Sequence, residues 1–178
     1  DAHHGSIVEV SMDIRKQVFL GLMVAMAVAI GFIETMIPLP VPLPGARLGL
    51  SNVVILTTIV VFGPKEGFVV AILKSVLLML VTGNVTSFFY SGTGALLSSV
   101  AMIVSLKTIK SASLIGISFI GSFFHNIGQI ATAIVMVHNM GLLAYLPLLL
   151  LLGLFTGYFV GLAASYASRH LEKIGVRL

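Results

Sequence analysis

Apolar runs of roughly membrane-spanning length follow one another along this chain, parted only by short breaks rich in glycine, proline or charge. A hydrocarbon core about 30 Å thick needs about 20 residues of helix. That requirement divides the chain into six runs, near 17–37, 48–62, 66–83, 87–106, 112–138 and 141–167. With 58% hydrophobic and 9% charged residues, the chain cannot cover a water-facing surface, so lipid is the solvent for most of it. Lipid offers no partner to a backbone N–H or C=O, and helices satisfy these groups internally. The expected fold is all-α and integral to the membrane, with six transmembrane helices. The lack of cysteine removes disulfides and thiolate metal sites.

The breaks differ in character. Gly63-Pro64 in FGPKEG, together with TGNVTS and HNMG, makes tight turns. PLPVPLPGAR instead carries Pro38, Pro40, Pro42 and Pro44, which favour a stiff extended crossing, either a lid over a cavity mouth or a plain connector. Positive charge sets the orientation. Placing both termini on the cytoplasmic side puts Arg15, Lys16, Lys65, Lys107, Lys110, Arg169, Lys173 and Arg177 there, with Arg47 near the outer surface and Lys74 inside a span. Residues 1–11, DAHHGSIVEVS, read as a tag remnant and stand apart from a single domain over 12–178. That domain carries no phosphate-binding glycine loop, so nucleotide hydrolysis is not expected of it.

Polar residues within the runs need a reason to be there. Ser118, Ser122, His125, Gln129 and Thr132 recur at helical spacing and share one face of the fifth run, with Asn126 beside them. Such a face must look at other helices or a wet cavity. Ser118 and Thr132 suit hydrogen bonding between helices, whereas His125, Asn126 and Gln129 are candidates for ligand contact. Lys74 in AILKSVLL costs about 3 kcal/mol near a helix centre and needs a partner. Glu34 and Arg47 lie at a similar outer level and either pair with each other or contribute to a site. If they pair, Lys74 is left for an acidic group on a ligand. Asn52, Asn84, Ser87, Tyr90 and Ser91 fall toward the same side, so the inferred pocket opens outward.

Small residues add a different signal. Gly21, Ala25 and Ala29 recur every four residues on the first run, with Ala27 and Gly31 offset, and Gly153, Gly157 and Gly161 repeat the spacing in the sixth. Such stripes let another helix come close, in this chain or in a partner.

PGARLGLSNV, GPKEG, SFFYSGTGALLS, FFHNIGQ and LLLLGLFTGYFVG, in this order across residues 12–178, resemble the Gx transporter family, also labelled heptaprenyl diphosphate synthase component I. That family is similar in turn to the S-components of energy-coupling factor (ECF) uptake transporters. The resemblance implies an S-component-like six-helix bundle in a prokaryotic cytoplasmic membrane. Such a subunit captures a vitamin-like solute from outside and docks on a transmembrane coupling subunit served by ATPase subunits. It implies docking through the first helix at Gly21, Ala25 and Ala29, and ATP hydrolysis by the partners, so that this chain needs no cofactor.

The synthase label implies chemistry that the residues do not favour. Prenyl elongation holds Mg²⁺ on clustered carboxylates. Beyond the tag remnant the chain has Asp13, Glu34, Glu66 and Glu172, none adjacent. We therefore expect no catalysis and no metal site. The leading expectation is a substrate-binding subunit whose outward pocket uses His125, Asn126, Gln129, Lys74, Asn52, Arg47, Glu34, Asn84 and Tyr90 for a small anionic or vitamin-like solute. The alternative is a non-catalytic membrane scaffold or redox partner that holds a quinone or isoprenoid lipid, or a flavin-carrying electron-transfer protein. A proton path through Glu34, Lys74 and His125 would be a thin relay.

Overall fold

The computed structural model describes residues 2–39 and 46–176, with side chains from residue 14 onward. The protein is all-helical, with six α-helices among the described residues: α1 (Ala2–Glu34), α2 (Asn52–Val61), α3 (Pro64–Thr82), α4 (Val85–Thr108), α5 (Leu114–Val137) and α6 (Leu146–Lys173). A short 3₁₀ turn, Met140–Tyr145, leads into α6. Among the described residues, four stretches are long and apolar enough to cross a membrane: Ile14–Glu34, Val85–Thr108, Leu114–Val137 and Met140–Lys173. Together they mark a membrane protein with transmembrane helices. Pro40, Pro42 and Pro44 lie outside the described residues, and with them most of the expected stiff crossing.

Local chemistry sets the helix ends. Pro64 begins α3 in the first turn, where its missing N–H costs nothing, and Gly83 ends the helix in the left-handed region at φ 63°. Asn84 caps α4 by accepting the Ser87 N–H at 3.0 Å. Ser113 caps α5 by accepting the Gly116 N–H at 3.2 Å.

The second run departs from expectation. Its helix covers Asn52–Val61 alone, 10 residues or about 15 Å, which is half the thickness of a bilayer core. Gly49, at φ 81°, is one reason the helix does not begin at residue 48. Side chains of other helices are the second, because they occupy the backbone groups of Arg47, Leu48 and Leu50.

α5 packs most extensively, with α4 on one side and α6 on the other, while α1 lies on α3 and the short α2 fits among α1, α3, α4 and α6. Two apolar clusters result. One gathers Met23, Ala27, Ile55, Val70, Met102 and Ile117, and the other Tyr90, Ile130, Ala133 and Leu149. On α5 they are anchored by Ile117 and Ile130, and the buried residues Ser118, Ser122, His125, Asn126 and Gln129 fall between. A polar layer therefore separates two apolar ones.

The two small-residue stripes have opposite fates. Gly153, Gly157 and Gly161 of α6 are buried against α5, where an added Cβ at Gly157 would come within 3.1 Å of Phe119. On α1, Ala27 and Gly31 turn inward, whereas Gly21, Ala25 and Ala29 are exposed. Close packing in the fold uses the α6 stripe and leaves the α1 stripe uncovered.

Candidate functional site

A cavity of about 530 Å³ lies where α1 ends and α4 begins, lined by Glu34, Thr35, Arg47, Thr82, Asn84 and Ser87 among others. Glu34 reaches it from the last position of α1, and Asn84 from the cap of α4. Arg47 comes from the extended segment that precedes α2. Its guanidinium donates to the Gly31 carbonyl at 3.1 Å and to the Ser87 hydroxyl.

The Glu34 carboxylate is 3% exposed, accepts the Leu50 N–H through Oε1 at 3.0 Å, and leaves Oε2 without a partner. Of the two arrangements open to Glu34 and Arg47, the ion pair does not form. Both Arg47 and Lys74 feel the Glu34 charge, but neither makes a direct contact with it. Lys16 and Glu66 do pair, at 2.6 Å, joining the middle of α1 to the first turn of α3. Two cations and one carboxylate thus sit close together in a region of few charges, an excess of positive charge that favours an anion.

Lys74 lies behind the cavity, 1% exposed, and its ammonium donates to the Ser91 hydroxyl at 3.1 Å. One neutral acceptor for three N–H donors is sparse coordination for a buried ammonium.

Gln129 and Asn126 are engaged with backbone. The Gln129 side chain accepts the Arg47 N–H at 2.6 Å and donates to the Arg47 carbonyl at 2.8 Å, so its amide pairs with the segment as a neighbouring strand would. Asn126 donates to the Leu149 carbonyl at 2.9 Å and ties α5 to α6. Thr132 shares a hydrogen bond of 2.6 Å with Thr93, which joins α5 to α4. Tyr90 is buried in the apolar cluster with Ile130 and Leu149.

His125 has other surroundings. It is 1% exposed, and neither ring nitrogen makes a well-directed hydrogen bond. Two glycines flank it. A Cβ on Gly49 would lie 3.2 Å from Nε2, and one on Gly94 would lie 2.8 Å from Nδ1. Asn52 meets the same Gly49 face, and its Oδ1 is likewise unpartnered.

The nine residues expected at one pocket therefore divide. Glu34, Arg47 and Asn84 line the outer cavity. Lys74, His125 and Asn52 are enclosed behind it, and Gln129, Asn126 and Tyr90 are held in the packing. Sequence reasoning missed Gly49 and Gly94, which shape the space around the imidazole; PGARLGLSNV and SFFYSGTGALLS contain them, but spacing alone does not reveal a partner so distant in the chain.

A family model described as heptaprenyl diphosphate synthase component I matches residues 23–167. The chain belongs to this family. The match takes in all of α2 to α5, most of α6, the C-terminal part of α1 from residue 23, and every residue of the outer cavity and of the enclosed polar layer. It agrees with the likeness drawn from the five quoted segments. No curated protein and no solved structure matches the chain.

Proposed function

We propose that this member of the heptaprenyl diphosphate synthase component I family is the solute-binding subunit of an ECF-type uptake transporter, with six membrane passages and both termini in the cytoplasm. It takes a small anionic or vitamin-like solute from the outer side. The observation that carries the reading is the cavity of about 530 Å³ with Arg47 and the half-satisfied Glu34 in its wall and Lys74 behind it. A solute with an acidic group answers the excess cation, and a donor on the same solute answers Glu34 Oε2.

The uncovered stripe of Gly21, Ala25 and Ala29 supports docking on a transmembrane coupling subunit, since it offers a partner helix a close approach. ATP is then hydrolysed by the ATPase subunits of that assembly, and this chain is not itself an enzyme. Its carboxylates support the non-catalytic reading. Glu34 stands about half of α1, about 27 Å, from Lys16, the residue that holds Glu66.

Native mass spectrometry of protein extracted gently from its own membrane tests the reading. Attached coupling and ATPase subunits, with a small acid that departs when Lys74→Met is introduced, are the expected result. Full retention of that acid in Lys74→Met would count against the site.

A second reading has specific support of its own. The family description names a prenyl diphosphate synthase component, and a mostly apolar groove of about 430 Å³ lies on α4 and α5 at Phe89, Ala131, Val135 and Met136, with Thr93 and Thr132 beside them. On this reading the chain is a scaffold for an isoprenoid or quinone. The same spectrum decides between the two, because a prenyl-chain mass without transport subunits selects the scaffold.

A further inference from the structure

Five unpartnered polar atoms in four residues remain behind segment 46–51, and the outer cavity touches none of them. They are Asn52 Oδ1 of α2, Ser98 Oγ of α4, and Ser118 Oγ with both ring nitrogens of His125 on α5. All four residues are at most 4% exposed.

Their surroundings link them. Asn52 and His125 both face Gly49, Ser98 and Met102 both face Gly121, and a narrow void is bounded by Gly49, Asn52, Met102 and Ser118. That void has no room for a water molecule, so hydration does not satisfy these atoms in this conformation. Buried donors and acceptors are nearly always paired, and these orphans, Asn52 and Ser118 lining the gap with His125 and Ser98 adjoining it beside Gly49 and Met102, call for a partner that the protein itself does not supply.

The chemistry of that partner is narrow. Asn52 Oδ1 only accepts, the serine hydroxyls donate and accept, and a neutral imidazole offers one of each. No carboxylate or cation lines the void; Lys74 and Arg47 reach His125 electrostatically without lining it. Gly49 and Gly157 form bare patches of its wall, which suits a flat group. We propose that the chamber is an inner subsite for the uncharged, hydrogen-bonding ring of the solute, a nitrogen heterocycle of amide or ureide type, whose acid group stays at Arg47 and Lys74. The inference rests on the solute-binding reading and names the class of solute. Filling the chamber requires segment 46–51 to part from α5 and α6, and Gly49, which meets His125 there, has no side chain to unthread.

The test is binding to the full chain in detergent micelles, read from melting-temperature shifts over a concentration series of each probe. Orotate and hydantoin-5-acetate carry an acid and a ureide ring, benzoate carries the acid on a ring that cannot hydrogen-bond, and uracil carries the ring without the acid. At least one ureide acid is expected to bind about tenfold or more tightly than benzoate and than uracil. The double variant Ser98→Ala/Ser118→Ala, which removes only two hydroxyls and adds no bulk, should bring that acid down to the benzoate level.

Ureide acids no tighter than benzoate, or unaffected by the double variant, overturn the inner subsite. If benzoate still binds and Arg47→Gln abolishes its binding, the outer site survives that failure. If no acid shifts the melting temperature, the solute-binding reading falls with the inference.

Discussion

The outer cavity and the closed chamber meet at residues 46–51, and their polar atoms are treated in opposite ways. In the cavity the ionised groups are mostly answered: Arg47 by Gly31 and Ser87, and one Glu34 oxygen by Leu50. In the chamber the groups are neutral, and His125, Ser98 and Ser118 have no side-chain partner at all. An unanswered buried charge costs more than an unanswered neutral group, so hydrogen bonds go first to the ionised groups, while the hydroxyls and the imidazole wait for a partner. The difference teaches that burial alone does not mark a residue as structural. What separates the two classes is whether a partner is present.

The comparison can be broken most forcefully at Gln129, which belongs to the satisfied class. Gln129→Ala leaves the N–H and C=O of Arg47 buried and unpaired, and should cost about 2–4 kcal/mol. A lower midpoint of unfolding in detergent, with faster labelling of an Ala46→Cys reporter by a water-soluble maleimide, is the expected result. Unchanged labelling would show that the clamp does not hold the segment.

Next comes Gly94→Ala, which pushes a methyl group to within 2.8 Å of the His125 ring and should destabilise by about 1–3 kcal/mol. Pairing it with His125→Ala separates a clash from a backbone effect, since only a clash is relieved in the double variant.

Lys74→Met tests the boundary between the two classes, because this charge has one neutral partner. Replacing a sparsely coordinated buried charge by an apolar side chain of similar length should raise stability by about 1–2 kcal/mol. Thermal unfolding of the solute-free protein checks the sign, and a fall would mean that the ammonium is better satisfied than its contacts imply.

The smallest effect concerns the serines. Ser98→Ala removes an idle hydroxyl and should stabilise by about 0.5–1 kcal/mol, while Ser99→Ala removes a hydroxyl bonded to the Ala95 carbonyl and should be neutral or slightly unfavourable. Equal responses from these adjacent residues would erase the distinction.

Much of the fold was legible in the sequence because apolar runs and their breaks report helices directly. Gly63-Pro64, Gly83-Asn84 and Asn139 fall at observed turns. The face of Ser118, Ser122, His125, Gln129 and Thr132 on α5 was legible from its spacing; the first four are buried and Thr132 is half-buried. What spacing could not convey was the identity of the groups opposite. Gln129 meets the backbone of a residue 82 positions away, and Asn126 one 23 positions away. Periodicity along one helix carries no information about such partners.

The early end of the second run was illegible for a similar reason: the residues from 48 onward are apolar enough for a helix, and the helix is displaced by side chains from α1, α5 and α6. The stripes on α1 and α6 make the point again. Their spacing is alike, yet one lies against α5 and the other is uncovered.

The half-length of α2 has a mechanical corollary. Where a full helix would carry its own hydrogen bonds, residues 47–50 borrow theirs from Gln129, Thr156 and Glu34, which stand on three separate helices. Releasing the segment from one of these leaves it tethered by the remaining two, so partial detachment gains little freedom while forfeiting a bond. Motion here should therefore be all-or-none, a snap between two settings, and its rate should respond steeply to temperature.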